Sequence, residues 1–259
     1  MKRALYYFVI FLVIQLAASS LMLPVAKLLK LSSGSIAVLI ATTSLASVVT
    51  VALFAWRRWT PVNRVFMRSK PWLVLIWSAV AAFGAILPSV AFQDMLPDLP
   101  NLIEQEMEGV LRDRWGYFAI GLAAPIAEEF VFRGAILRSL LGWAKHGSRS
   151  PWIAILLSAL LFAIAHFNPG QMIHAFLVGI LLGWMYWRTG SIIPGIVYHW
   201  VNNSVAYVME NLMPGVEHLS DLFGGDHTRM VLSIVFSLCI LLPALYQLNM
   251  NMHRSDEEV

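Results

Sequence analysis

Three stretches of this chain set polar side chains inside apolar sequence. Around position 128 it reads Ala-Pro-Ile-Ala-Glu128-Glu129-Phe-Val-Phe-Arg133-Gly, three charges within six residues. An ionisable group at the centre of a membrane helix costs at least about 2.5–3.5 kcal/mol, so each one there asks for a functional reason. On a helix Glu129 and Arg133, four apart, share a face, with the acid on the favourable N-terminal side. Glu128 is turned about 100° from Glu129. The spacing divides the labour: the arginine neutralises one carboxylate and the other points elsewhere. A second apolar run ends Leu161-Phe162-Ala-Ile-Ala-His166-Phe167, and a third carries His199 and Asn203 one turn apart on one face. Asn202, three residues from His199, is an imperfect substitute for Asn203. Pro194 and Gly195 are expected to open backbone hydrogen bonds within that third run.

A carboxylate, two imidazoles and a carboxamide in a dry cavity suit hydrolysis by an activated water. A glutamate there serves as general base, and a neighbouring histidine shares the proton or passes it to the leaving amine. The second histidine and an asparagine amide are donors for the oxyanion of a tetrahedral intermediate. Plainer readings stand beside this one. Glu128, Glu129 and Arg133 would also make a structural ion-pair knot between helices, and a histidine near a helix end is commonly packed or interfacial. Convergence on one water-filled cavity accounts for all three runs together. His174, at the start of another apolar run, and His146, His218, His227 and His253, in loops or tail, read as structural or solvated. Neither His-Glu-x-x-His nor Gly-x-Ser-x-Gly occurs, and the acid after Gly224-Gly225, Asp226, lies in a polar loop rather than in a span.

The elements that must position these groups are membrane helices. The chain has 259 residues, 59% hydrophobic and 13% charged, with a mean hydropathy of +0.70. A soluble domain carries about 45–50% apolar and about 25% charged residues, so a soluble enzyme, a disordered chain and a nucleic-acid binder are excluded. The net charge of +3 and pI of 9.1 are then a topology signal. The single cysteine, Cys239, excludes an internal disulfide framework or a cysteine metal cluster. The expected fold is all-α, a polytopic bundle of about eight transmembrane helices. They are Leu5–Val25, Ile36–Trp56, Trp72–Phe92, Gly116–Ile136, Pro151–Phe167, Met172–Trp187, Ser191–Val208 and Met230–Leu248. Gln93–Trp115, acidic with apolar residues spaced three and four apart from Leu99, reads as an amphipathic helix on the membrane face or capping the bundle, or as a solvated connector. The division is 1–115 for the first helices and connector, 116–210 for the polar-bearing core, and 211–259 for a loop, the last helix and a tail.

Charge orients the bundle. With the amino terminus inside, the inner segments hold twelve cations (Lys2, Arg3, Arg57, Arg58, Arg64, Arg68, Lys70, Arg138, Lys145, Arg149, Arg188 and Arg254) against five outside, so both termini read as cytoplasmic in a cell membrane. A cleavable signal peptide with Ala17-Ala18-Ser19 as its small-residue site competes for the first run, but the apolar stretch continues to Val25. Counting along the helices puts Glu128 about 18 Å below the outer end and His199 about 12 Å from the inner end. His166 would sit higher unless the Asn168-Pro169-Gly170 turn is sunk into the bundle.

Taken together, Glu128-Glu129-x-x-x-Arg133, Phe162-x-x-x-His166 and His199-x-x-x-Asn203, in this order on separate runs, resemble the CAAX prenyl protease 2 family, whose bacterial branch is the Abi or CPBP group of intramembrane proteases. The resemblance covers roughly Gly116–Val208. It implies an eight-helix bundle and an endopeptidase acting near the membrane, on prenylated proteins in eukaryotic members. By motif position Glu128 would activate the water with His166, His199 and Asn203 would form the oxyanion hole, and Glu129 and Arg133 would hold the site together. No cofactor is required on that reading. Two alternatives stand: a zinc hydrolase using Glu128, His166 and His199 as a His₂Glu set with an open fourth position, or a non-enzymatic immunity or transport protein whose carboxylates relay protons. Expected partners are membrane lipid and a peptide or protein substrate, lipid-anchored or membrane-embedded.

Overall fold

A computed structural model describes residues 1–61, 66, 68, 71–97, 99–216 and 218–253. Arg64, Lys70 and Arg254 of the charge count and Asp98 of the acidic connector lie outside the described residues. Among those residues the structure is all-α, ten helices and no strand. They are α1 (Lys2–Leu28), α2 (Ile36–Trp56), α3 (Trp72–Asp94), α4 (Glu104–Arg112), the composite α5, α6 (Pro151–Ala165), α7 (Pro169–Thr189), α8 (Ile193–Leu212), the single turn α9 (Leu219–Leu222) and α10 (His227–Asn251). The composite α5 runs through five abutting pieces: Arg114–Gly116, a π segment Tyr117–Ala123, an α segment Ala124–Glu129, a second π segment Phe130–Leu137, and Arg138–His146. Every junction from Gly116 to Arg138 keeps right-handed helical dihedrals, so it is one rod with two changes of winding.

Helices α1, α2, α3, α7 and α10 are long and apolar enough to cross a membrane. The other three expected spans are those that carry the polar side chains. α5 is cut by its π segments, α8 is diluted by His199, Asn202, Asn203 and Glu210, and α6 is apolar but short. Fifteen residues of α6 reach only about 22 Å, against a hydrocarbon core of about 30 Å. The end of α6 is covered by other parts of the chain. Asn168 in the following turn is 0% exposed, accepts from the Leu102 amide at 2.9 Å and donates to Asn101 Oδ1 at 2.8 Å. Gly170 N–H donates to the Pro100 carbonyl at 3.2 Å, and Gln93 Nε2 reaches the Gly170 carbonyl at 3.1 Å. The Leu99–Leu102 stretch thus covers the α6–α7 turn that follows His166.

The same stretch corrects the expected connector. A helix from Leu99 onward does not form, because Pro97 and Pro100 remove backbone donors and disfavour helix before them. Helix begins only at Glu104 and lasts nine residues. It caps the bundle, tied to the end of α8 by Arg112–Glu210 at 3.1 Å and Asn211 Nδ2 to the Leu111 carbonyl at 2.8 Å. The opening of α8 is also unlike the expectation. Pro194 falls in its first turn, where a missing N–H costs nothing, so no hydrogen bond is opened beneath His199.

Two buried clusters hold the rods together. One centres on Phe132 of α5, whose ring meets Phe11 of α1 at 5.4 Å and Phe162 of α6 at 5.1 Å in edge-on geometry. The other joins α3, α7, α8 and α10 around Ala81, Leu182, Tyr198 and Leu248. The outward faces keep large apolar residues exposed, among them Leu16, Leu73, Phe83, Leu232 and Phe236. Apolar surface of that extent on long helices marks a multi-pass membrane protein.

Candidate active site

The two changes of winding in α5 place its carboxylates. In the first π segment the Ala124 N–H reaches back five residues to the Ala119 carbonyl. The next donor in that pattern, to the Ile120 carbonyl, would be Pro125, which has no N–H. The Ile120 carbonyl is taken instead by Asn203 Nδ2 of α8 at 3.0 Å. A proline one turn before Glu129 therefore creates the acceptor that fixes Asn203. In the second π segment Thr60 Oγ1 donates to the Phe130 carbonyl at 2.5 Å and Ser158 Oγ of α6 to the Phe132 carbonyl at 3.0 Å. Both ends of Ala124–Glu129 are thereby tied to neighbouring elements through carbonyls.

Glu129 and Arg133 face each other as their spacing predicts. Arg133 Nη1 donates to Glu129 Oε1 at 2.7 Å, with side chains 1% and 0% exposed. Arg133 also reaches the Gly179 carbonyl at 3.4 Å and lies 4.4 Å above the Phe162 ring, a cation–π contact. Glu129 is not confined to that pair. Its Oε1 is 3.5 Å from His199 Nδ1, and its Oε2 lies where Gly195 leaves room, since a Cβ at 195 would stand 2.6 Å from that oxygen. Gly195 is thus required by the close approach of α8 to a buried carboxylate.

Glu128 points the other way, into a cavity of about 420 Å³ that it lines with Gln15, Thr43, Ser47, Phe162 and His166. Its Oε2 is 3.6 Å from His199 Nε2. The imidazole of His199, 5% exposed as a residue, therefore stands between both glutamates, one at each ring nitrogen. His166 follows the last residue of α6, and its Nδ1 is 2.9 Å from the Phe162 carbonyl. A carbonyl only accepts, so Nδ1 carries the hydrogen and the neutral ring keeps its lone pair on Nε2. Asn203 uses one amide hydrogen on Ile120 and retains a second. Asn202 Nδ2 donates to Asn203 Oδ1 at 3.3 Å, so it steadies the amide rather than replacing it. A further clamp joins α5 to α8: Trp200 Nε1 donates to Tyr117 Oη at 2.9 Å, Tyr117 to Ser204 Oγ at 3.1 Å, and Ser204 to the Trp200 carbonyl at 2.7 Å.

Three residues not counted among the expected site groups also contribute: Phe162, Gly195 and Tyr117. The Phe162 ring is edge-on to His166 at 4.9 Å and to His199 at 5.9 Å, and lies beneath Arg133. Its place four residues before His166 was the available signal. Gly195 and Tyr117 act through close approach and through a partner 83 or more positions away, which spacing does not reveal. Among the described residues no three His, Cys, Asp or Glu side chains are arranged to hold a metal ion.

Residues 111–205 match the family described as type II CAAX prenyl endopeptidase Rce1-like. No curated protein and no solved structure matches the chain. The matched stretch contains Glu128, Glu129, Arg133, His166, His199 and Asn203.

Proposed function

From the match of residues 111–205 to the Rce1-like CAAX endopeptidase family, we propose that the protein is an intramembrane endopeptidase in which Glu128 and His166 activate a water. His199 and Asn203 would hold the oxyanion. The observation that carries this reading is the cavity shared by Glu128 and His166, with His199 Nε2 standing 3.6 Å from the Glu128 carboxylate. A water between the Glu128 carboxylate and His166 Nε2 gives up its proton as its oxygen attacks the scissile carbonyl carbon. The carbonyl oxygen becomes an oxyanion and accepts hydrogen bonds from the second Asn203 amide hydrogen and an imidazole N–H of His199. Collapse breaks the C–N bond, and the proton held by the Glu128–His166 pair passes to the leaving amine. The products are one carboxylate and one amine.

Leu16 and Phe167, on the rim of this cavity, are 68% and 65% exposed, so the cavity adjoins lipid-facing surface. That favours a substrate held in or anchored to the membrane. With the amino terminus inside, the charge balance favours both termini on the cytoplasmic side of a cell membrane. A proton-relay protein has less support: Ile136 and Leu137, both 0% exposed and apolar, follow Arg133 along α5, whereas a relay needs a continuous polar path. The test is hydrolysis of a prenylated C-terminal peptide by the full chain in nanodiscs, with and without prolonged chelation. Cleavage that survives chelation and vanishes in Glu128→Gln is expected. Retained cleavage in Glu128→Gln overturns the assignment of the base, and one tightly held zinc lost together with activity overturns the metal-free scheme.

A further inference from the structure

A second cavity, about 1230 Å³, lies between the start of α1 and the start of α6, with the last turns of α5 as its floor and the end of α7 as a wall. It shares no lining residue with the cavity at Glu128. Five cationic side chains line it, Lys2, Arg3, Arg138, Lys145 and Arg149, and no carboxylate does. None of the five pairs with a carboxylate among the described residues, although Arg112, Arg133 and Arg229 all do. Self-repulsion should splay such a group, yet part of it is built in place. The Arg149 amide caps α5 on the Ala144 carbonyl at 2.9 Å, and its guanidinium stacks 4.5 Å over the Trp143 ring. That guanidinium fills the space where Gly147 has no side chain.

What lies around the cations says where the cavity sits. Trp59, Trp143 and Trp187 line the same space, and tryptophan is enriched at the headgroup level of a bilayer. One turn further into α1 and α6, Leu5, Tyr6, Ile153 and Leu156 are exposed and apolar, so both walls pass directly into lipid-facing surface. An occupant must carry negative charge at one end and hydrocarbon at the other. We infer that this cavity is a binding site for the phosphate-bearing head group of an anionic phospholipid, whose acyl chains lie along α1 and α6. The site is separate from the proposed catalytic cavity and does not rest on the hydrolytic reading.

The test uses the full chain in nanodiscs of phosphatidylcholine doped with phosphatidylglycerol, reading retained lipid by native mass spectrometry and thermal stability by melting. Arg138→Gln/Lys145→Gln/Arg149→Gln should lose phosphatidylglycerol retention about a hundredfold, taking the usual contribution of each cation near an anionic surface. Lys27→Gln/Lys30→Gln/Arg114→Gln removes equal charge at the opposite ends of α1 and α5 and should retain the lipid as the unaltered chain does. If the first triple variant fails to fold, Lys145→Glu, at an exposed position, serves instead and should lose retention at least tenfold. Equal loss in both triple variants, or undiminished retention in Lys145→Glu, overturns the site. Inorganic phosphate in plain phosphatidylcholine discs is the second arm: stabilisation equal to that by phosphatidylglycerol would identify a soluble anion and overturn the lipid assignment.

Discussion

Glu129→Gln tests the division of labour between the two adjacent glutamates. The Glu129 carboxylate is fully buried and 2.7 Å from Arg133 Nη1, while Arg133 itself is 1% exposed. Once the charge at 129 is gone, the guanidinium faces at best a neutral amide oxygen in place of the carboxylate, with a long contact to the Gly179 carbonyl at 3.4 Å and the Phe162 ring at 4.4 Å. Breaking a buried pair from one side costs about 3–5 kcal/mol, because a lone charge remains in a low-dielectric setting. At about 2–4 °C per kcal/mol for a chain of this size, the melting temperature should fall by about 6–20 °C. Glu128→Gln should behave differently. Its side chain is 22% exposed at the cavity wall, and its 3.6 Å approach to His199 is a loose contact. Loss of such a partly solvated partner costs about 0–1 kcal/mol, so that variant should stay folded, abundant and inactive. Glu129→Gln/Arg133→Met should recover part of the lost stability, since no unpaired charge remains. The assay is melting of the three variants in one detergent, with hydrolysis measured alongside. A destabilised Glu128→Gln beside a stable, inactive Glu129→Gln would exchange the two roles and refute the reasoning.

Two further perturbations follow from contacts around the same groups. Gly195→Ala puts a methyl 2.6 Å from Glu129 Oε2, and overpacking of a filled interior costs about 1–3 kcal/mol, so a lower melting temperature is expected and an unchanged one would contradict the close approach. Phe162→Leu keeps apolar volume but removes the ring that abuts His166, His199 and Arg133. Misplacement of catalytic groups by about 1 Å costs about a hundredfold in rate, so activity should fall far more than melting temperature, and equal losses would make Phe162 a mere packing residue.

How much of this was readable from the sequence depends on the range of the interaction. The Glu129–Arg133 pair is local, four residues on one helix, and periodicity alone predicts it. The helical membrane fold follows from composition, because twenty apolar residues in a row admit few other structures. Depth was less accessible. The burial of Asn168 depends on Asn101 and Leu102, more than sixty positions away, and nothing in the α6–α7 hairpin announces that a lid covers it. The helix expected from Leu99 failed because spacing outweighed Pro97 and Pro100 in the reading, whereas in the chain the prolines win. Within the site, the sequence offered Glu129 as a structural partner of Arg133 only. Its approach to His199 depends on the α5–α8 packing that Gly195 permits. The π segments were also out of reach, although Pro125 is their visible trace: it leaves the Ile120 carbonyl for Asn203.

The central claim is that Glu128 serves as the base for hydrolysis of a peptide bond in a membrane substrate. The most direct measurement compares protein termini by mass spectrometry in membranes carrying the unaltered chain or Glu128→Gln at equal abundance. At least one membrane-associated protein should keep its full length only with Glu128→Gln, and a matching new terminus should appear only with the unaltered chain. Identical sets of termini in the two membranes would contradict it.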